Sequence, residues 1–214
     1  FTIVSFTGTG SNATIGHGLS ASPDCVWIKN LSQNDSWLVY NSCGLLGNSK
    51  FISLDLALSS ALTGSSYMQD TSPSSTVISL GTSHLVNASS ENYVAYCWRN
   101  VEGFQKFSDY LGNGNNDGAF VYTGFRPRMV ILAPLRFSGS PHWAEHDTAR
   151  ETFNPCSTVI DLDDTYAEYS SSGRAIDILS NGFKARTSDN AINTTSGLAY
   201  FAWGDVPFKY NNTF

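Results

Sequence analysis

The sequence states one motif twice. Thr7-Gly-Thr-Gly10-Ser-Asn12 returns as Leu111-Gly-Asn-Gly114-Asn-Asn116. Gly18-Leu-Ser-Ala-Ser-Pro23-Asp-Cys-Val26-Trp-Ile28 returns as Tyr122-Thr-Gly-Phe-Arg-Pro127-Arg-Met-Val130-Ile-Leu132. The separation is 104 positions at Gly8/Gly112, Gly10/Gly114, Pro23/Pro127 and Val26/Val130. The run from Asn87 through Trp98 and Val101 returns from Asn193 through Trp203 and Val206, now 105 or 106 positions on. Near-constant spacing over three separated motifs means that a unit of roughly 105 residues is used twice. The chain therefore divides into copies at 1–106 and 107–214, closed by Phe104 and Phe208.

Within each copy, short β-branched runs alternate with Gly, Asn, Ser and Pro clusters, the pattern of strands and turns. Val26–Lys29, Trp37–Tyr40, Lys50–Leu54, Thr76–Leu80, Met129–Leu132 and Ala175–Leu179 are candidate strands. Tyr93–Trp98 and Leu198–Trp203 are the most apolar and are placed centrally. Leu54–Leu62 is the one helix candidate. About seven strands per copy predicts an all-β protein, a duplicated antiparallel β-sandwich of jelly-roll or lectin-like type. No linker interrupts Val101-Glu-Gly-Phe-Gln-Lys-Phe107, so the pseudo-repeats are expected to pack closely or to form one continuous sandwich.

Charged residues are only 14% of the 214, against about 25% in ordinary globular chains, so Ser, Thr, Asn and Gly cover the surface. Aromatics reach 13%, which excludes disorder. A net charge of −6 with scattered basic residues argues against nucleic acid. No apolar run nears the ~20 residues of a membrane span. The chain opens at Phe1 without Met or a signal peptide and reads as a processed or excised piece. Cys25, Cys43, Cys97 and Cys156 fit no zinc pattern. Two disulfides can be drawn, Cys25–Cys43 closing a hairpin-sized loop, while Cys97 in its apolar run suits a buried thiol.

The Gly-x-Gly turn, the Pro-x-x-Val strand opening and the Tyr-Val-Ala-Tyr-Cys-Trp close occur in order with Asp147-Thr-Ala-Arg150, Asn154-Pro155 and Ser180-Asn-Gly-Phe183. Together they resemble an uncharacterised β-rich repeat domain of bacteriophage tail-fibre and virion structural proteins, many from phages of marine bacteria and cyanobacteria. The resemblance spans nearly the whole chain and departs at Cys43, Cys156 and Pro134–Pro141. It implies a place on the virion surface, other virion proteins as partners, homo-oligomers with a trimer favoured, and contact with host-surface glycans. It transfers no catalytic or binding residue. A secreted carbohydrate-binding module and a capsid decoration protein without a receptor are the rival readings.

No nucleophile elbow accompanies the four histidines, no two carboxylates stand out as a glycosidase pair, and no cofactor motif is present, so the reading is of a non-enzyme. In His142-Trp-Ala-Glu-His146-Asp147 the histidines lie ~13 Å apart if the segment is a strand, too far to share a metal; an exposed polar loop is expected there. Asn113-Gly-Asn115-Asn-Asp117-Gly118 mimics half a calcium loop, but the glycines recur without the carboxylate in copy one. Asp161-Leu-Asp163-Asp164 reads as a solvated loop. Trp98 and Trp203 match across the copies and are assigned to the core. Trp37, Tyr40, Trp143, Tyr166 and Tyr169, in stretches the copies do not share, are the candidate glycan-stacking residues. Six sequons begin at Asn12, Asn30, Asn34, Asn87, Asn193 and Asn211.

Overall fold

A computed structural model describes residues 1–42, 44–45, 50–54, 62–135 and 142–205. Cys43, most of the Leu54–Leu62 helix candidate, 136–141 within the Pro134–Pro141 segment, Phe208 and Asn211 lie outside the described residues. The protein is all-β, with its strands in antiparallel sheets. They group into unit 1 (Phe1–Asn100, Phe107–Asp109, Leu135–His142) and unit 2 (Val101–Lys106, Tyr110–Pro134, Trp143–Phe214).

Unit 1 carries β1 (Thr2–Thr7), β2 (Ala13–Gly16), β3 (Cys25–Asn30), β4 (Leu38–Asn41), β5 (Lys50–Ser53), β6 (Leu62–Thr63), β7 (Val77–Leu80) and β8 (Asn92–Trp98). Two single helical turns, α1 (Ser65–Met68) and α2 (His84–Asn87), flank β7. The order β1-β8-β3-β4-β5-β6 forms one sheet, and β2 pairs with β7 in a second. Then follow β9 (Gln105–Tyr110), β10 (Phe120–Tyr122), β11 (Pro127–Pro134), β12 (Ala144–Asp147), β13 (Thr158–Asp161), β14 (Tyr169–Ser170), β15 (Ile176–Leu179), β16 (Gly182–Ala185), the helical turn α3 (Asn190–Asn193) and β17 (Leu198–Gly204). Their large sheet runs β9-β17-β11-β12-β13-β14, with β10-β16-β15 as a smaller one. Edge to edge, both large sheets follow the same order: first strand, last strand, third, fourth, fifth, sixth.

Alternation along the strands builds each core. In unit 1, Val26, Ile28, Tyr40, Phe51, Tyr93, Ala95 and Cys97 pack with Ile78 and Leu80 from the small sheet. In unit 2, Val130, Leu132, Val159, Leu198 and Tyr200 pack with Ile176, Ile178 and Phe183. Each fully buried large apolar side chain contributes about 2 kcal/mol.

The repeated Gly-x-Gly turn is held the same way in both units. The Asn87 side chain accepts the Thr9 N–H at 2.8 Å and donates to the Ser11 and Gly81 carbonyls at 2.6 and 2.8 Å. Asn193 accepts from the Asn113 N–H at 2.9 Å and donates to the Asn115 and Thr187 carbonyls, both at 2.8 Å. The main-chain carbonyls of Asn87 and Asn193 take the N–H groups of Gly10 and Gly114 at 2.9 and 3.1 Å. The backbone comes so close that a Cβ on Gly8 would sit 2.1 Å from the Ala88 carbonyl oxygen, and one on Gly112 2.2 Å from that of Asn193. Ser83 and Asp189 cap the helical turns that end in these asparagines, each accepting the N–H two residues on.

Candidate functional site

On the face of the unit 1 sheet turned away from the core, alternation places Trp27 on β3 beside Tyr96 and Trp98 on β8, with Trp27 and Tyr96 in register. Trp37, immediately before β4, meets the Trp27 ring at 6.2 Å edge-on and Tyr96 at 6.0 Å. Trp98 lies 5.8 Å from Trp27 and 6.0 Å from Tyr96, and Phe1 meets Trp98 at 5.1 Å. Lys29 sets its ammonium 6.0 Å over the Trp37 ring while donating to the Asp35 carbonyl. The four inner rings are half-buried and Phe1 is 58% exposed, so the row keeps part of its aromatic surface in solvent. Such a row can hold a sugar ring by stacking. The expected core position of Trp98 is corrected: Tyr93, Ala95 and Cys97 point inward, so Trp98 falls on the opposite face, and Trp203 is likewise only half-buried.

Unit 2 repeats the placement without the exposure. Trp143 immediately precedes β12 as Trp37 precedes β4, and it stacks on Phe201 at 5.5 Å. The Trp37 and Trp143 carbonyls both accept a backbone N–H, from Leu54 at 3.2 Å and Leu162 at 2.9 Å. In the registers, Val26 opposes Tyr40 and Cys97, whereas Val130 opposes His146 and Ala202. Trp37 and Trp143 are thus equivalent, and the expectation that they belong to stretches the copies do not share is corrected. The chain is two residues longer between Val130 and Trp143 than between Val26 and Trp37, which moves the spacing from 104 to 106.

The same registers set His146 where unit 1 has Tyr40, and Asp161, opposite Ala144, where unit 1 has Ser53, opposite Leu38. His146 is fully buried on β12, not in an exposed loop, and its Nε2 lies 2.6 Å from the Arg174 carbonyl. Burial lowers its pKa to about 4, so it is neutral and donates from Nε2. Asp161 is buried as well, correcting the solvated-loop expectation; it accepts from the Tyr169 hydroxyl at 2.8 Å and faces Arg174 at 3.8 Å. Arg150 gathers the carboxylates of Glu145, Asp147 and Glu168. Burial raises the Glu145 pKa against the pull of Arg150. For Asp147 burial also pushes upward, but the hydrogen bonds from Arg150 and the Ala149 N–H outweigh it and lower the pKa. Burial pushes the Cys156 thiol up to about 12, which leaves it inert at neutral pH. Asp147 accepts from the Ala149 and Arg150 N–H groups and Glu151 from those of Ser157 and Thr158, which pins the turn after β12, while His146 Nδ1, Asp161 Oδ1 and Arg174 Nη1 are buried without a hydrogen bond. In the calcium-like stretch, Asn113 Oδ1 accepts from Asn115 and Asn193, and Asp117 pairs with Lys184 at 2.6 Å.

A family model described as a domain of unknown function, DUF7483, matches residues 1–207. The chain belongs to the DUF7483 family. The match runs through both units. No curated protein and no solved structure matches the chain.

In this DUF7483 chain the five candidate stacking residues do not converge. Tyr40 (5% exposed) and Trp143 (3%) are in the interior, Tyr40 against Phe51 at 6.2 Å, so neither ring has a face open to a sugar. Tyr166 is 67% exposed, and Tyr169 is tied to Asp161. Trp37 alone joins an aromatic row, with Trp27, Tyr96 and Trp98, whose period-two spacing on β3 and β8 was the signal for a shared face. The sequon asparagines Asn30, Asn87 and Asn193 are buried and serve as internal hydrogen-bond hubs. Cys97 and Cys156 are free, buried thiols. Among the described residues no group of three His, Cys, Asp or Glu is placed to hold a metal, and no helix is long and apolar enough to cross a membrane.

Proposed function

We propose that the chain is a structural component of a phage virion surface, in a tail fibre or at the head or tail, working in assembly and in attachment to host-surface glycans. The two units are copies of one antiparallel β-sandwich module. Their common strand order and their paired asparagine latches support that reading. The observation that carries attachment is the half-exposed row of Trp27, Trp37, Tyr96 and Trp98 with Lys29 beside it. Low surface charge suits the role, since Ser, Thr and Asn groups complement sugar hydroxyls without a counter-ion.

A secreted carbohydrate-binding module would use the same row, and location separates the two. Immunogold labelling of purified particles with antibody against the chain is expected to mark the tail or the shell. Particles that lack the chain contradict the virion reading.

A further inference from the structure

We propose that β1 is a pairing edge, and that it takes β1 of a second copy of this chain in antiparallel register centred on Ser5. Among the described residues β1 is the outermost strand of the unit 1 sheet, bonded to β8 on one side. The register pairs Phe6 with Tyr93 and continues to Gly8, whose N–H donates to the Glu91 carbonyl at 2.7 Å. Since antiparallel pairs alternate, the backbone groups of Phe6, Val4 and Thr2 also turn toward β8, and those of Ile3, Ser5 and Thr7 turn outward. Ile3, Ser5 and Thr7 are exposed along their side chains, Ile3 at 58%.

Edges of this kind are normally blunted by charge, proline or a bulge. Phe1-Thr-Ile-Val-Ser-Phe-Thr7 has none of these, whereas β9, at the same place in the unit 2 sheet, carries Lys106 and Asp109. An identical strand fits best. Centring on Ser5 sets Ile3 against Thr7 and Val4 against Phe6, so no charge meets a charge and apolar meets apolar on the inner side. All three outward residues then bond in both copies, about six hydrogen bonds. The net charge of −6 per copy does not oppose this at physiological salt, where screening acts within about 8 Å. The pairing is isologous, as two-fold contacts are, and it stands independently of the attachment reading.

Sedimentation velocity of the whole chain over a concentration series tests it. The expected result is a monomer–dimer equilibrium. Ser5→Lys, which puts two ammonium groups opposite each other across the two-fold axis, is expected to raise the dissociation constant about fivefold or more. Thr14→Lys, at an exposed position of β2, is the charge control and leaves the constant unchanged. A monomer at every concentration, a trimer, or a dimer indifferent to Ser5→Lys overturns the proposal; the first of these returns the edge to a different partner.

Discussion

Asn193 holds the backbone of Asn113 across 80 residues of sequence, accepting its N–H at 2.9 Å and donating to its side-chain oxygen at 3.0 Å. Asn87 does the same work for Thr9. Replacing Asn193 with Ala strands the Asn113 N–H and the Asn115 and Thr187 carbonyls, each a loss of about 1 kcal/mol or more. Asn193→Ala and Asn87→Ala are each expected to lower unfolding stability by about 2–4 kcal/mol in urea titrations. Asn→Asp at either site is worse than neutral, because a carboxylate cannot supply the two donated bonds.

The glycines of the latch are required for different reasons, which substitution separates. At Gly112 a Cβ meets backbone at 2.1 Å, whereas at Gly114, with φ at +66°, the space is open and the cost is conformational alone. Gly114→Ala is expected to cost about 1 kcal/mol. Gly112→Ala is expected to cost more than twice that or to prevent folding, as read by denaturation or by soluble yield.

Stability should rise with pH on account of His146. Burial lowers its folded pKa to about 4 against an ordinary 6.5, so between these values the unfolded chain binds the extra proton. The neutral group's contribution is complete above pH 6.5 and is lost as pH falls through 4, up to about 3 kcal/mol. Asp147 and Glu151, whose pKa values are lowered, add a loss below the carboxylate range, and the Glu145 shift works oppositely. The difference between wild type and His146→Gln isolates the histidine: the gap in urea midpoint narrows as pH falls from 7 to 4.5.

Trp37 and Trp143 occupy equivalent positions in different environments, and substitution should expose the difference. Trp143→Ala empties a buried site against Phe201 and is expected to cost about 3–5 kcal/mol. Trp37→Ala opens a half-exposed position and should cost less than half as much by thermal or chemical unfolding.

The duplication was legible because the Gly-x-Gly turn and the closing strand must keep their spacing for Asn87 and Asn193 to reach their partners. Strand positions followed from short β-branched and apolar runs between turn clusters, with ends within a few residues, as at β3 and β8. The equivalence of Trp37 and Trp143 was hidden by the two added residues after Val130, since neither tryptophan has identical neighbours to mark the shift. His146 and Asp161 read as surface groups because a polar residue in a strand gives no sign of burial. Only the packing brings Arg174, a short turn before β15, over them. Tyr40 and Trp37 looked alike in sequence, and three positions along one chain decide that one ring enters the core and the other the opposite face.

The most direct measurement is retention of labelled chain on host cells and on their isolated surface polysaccharide, comparing wild type with a folded Trp37→Ala variant. The account predicts saturable retention of wild type, competed by the polysaccharide and reduced about tenfold or more by loss of the ring, a change of ~1.4 kcal/mol. Wild type that is not retained, or a variant retained equally well, would contradict it.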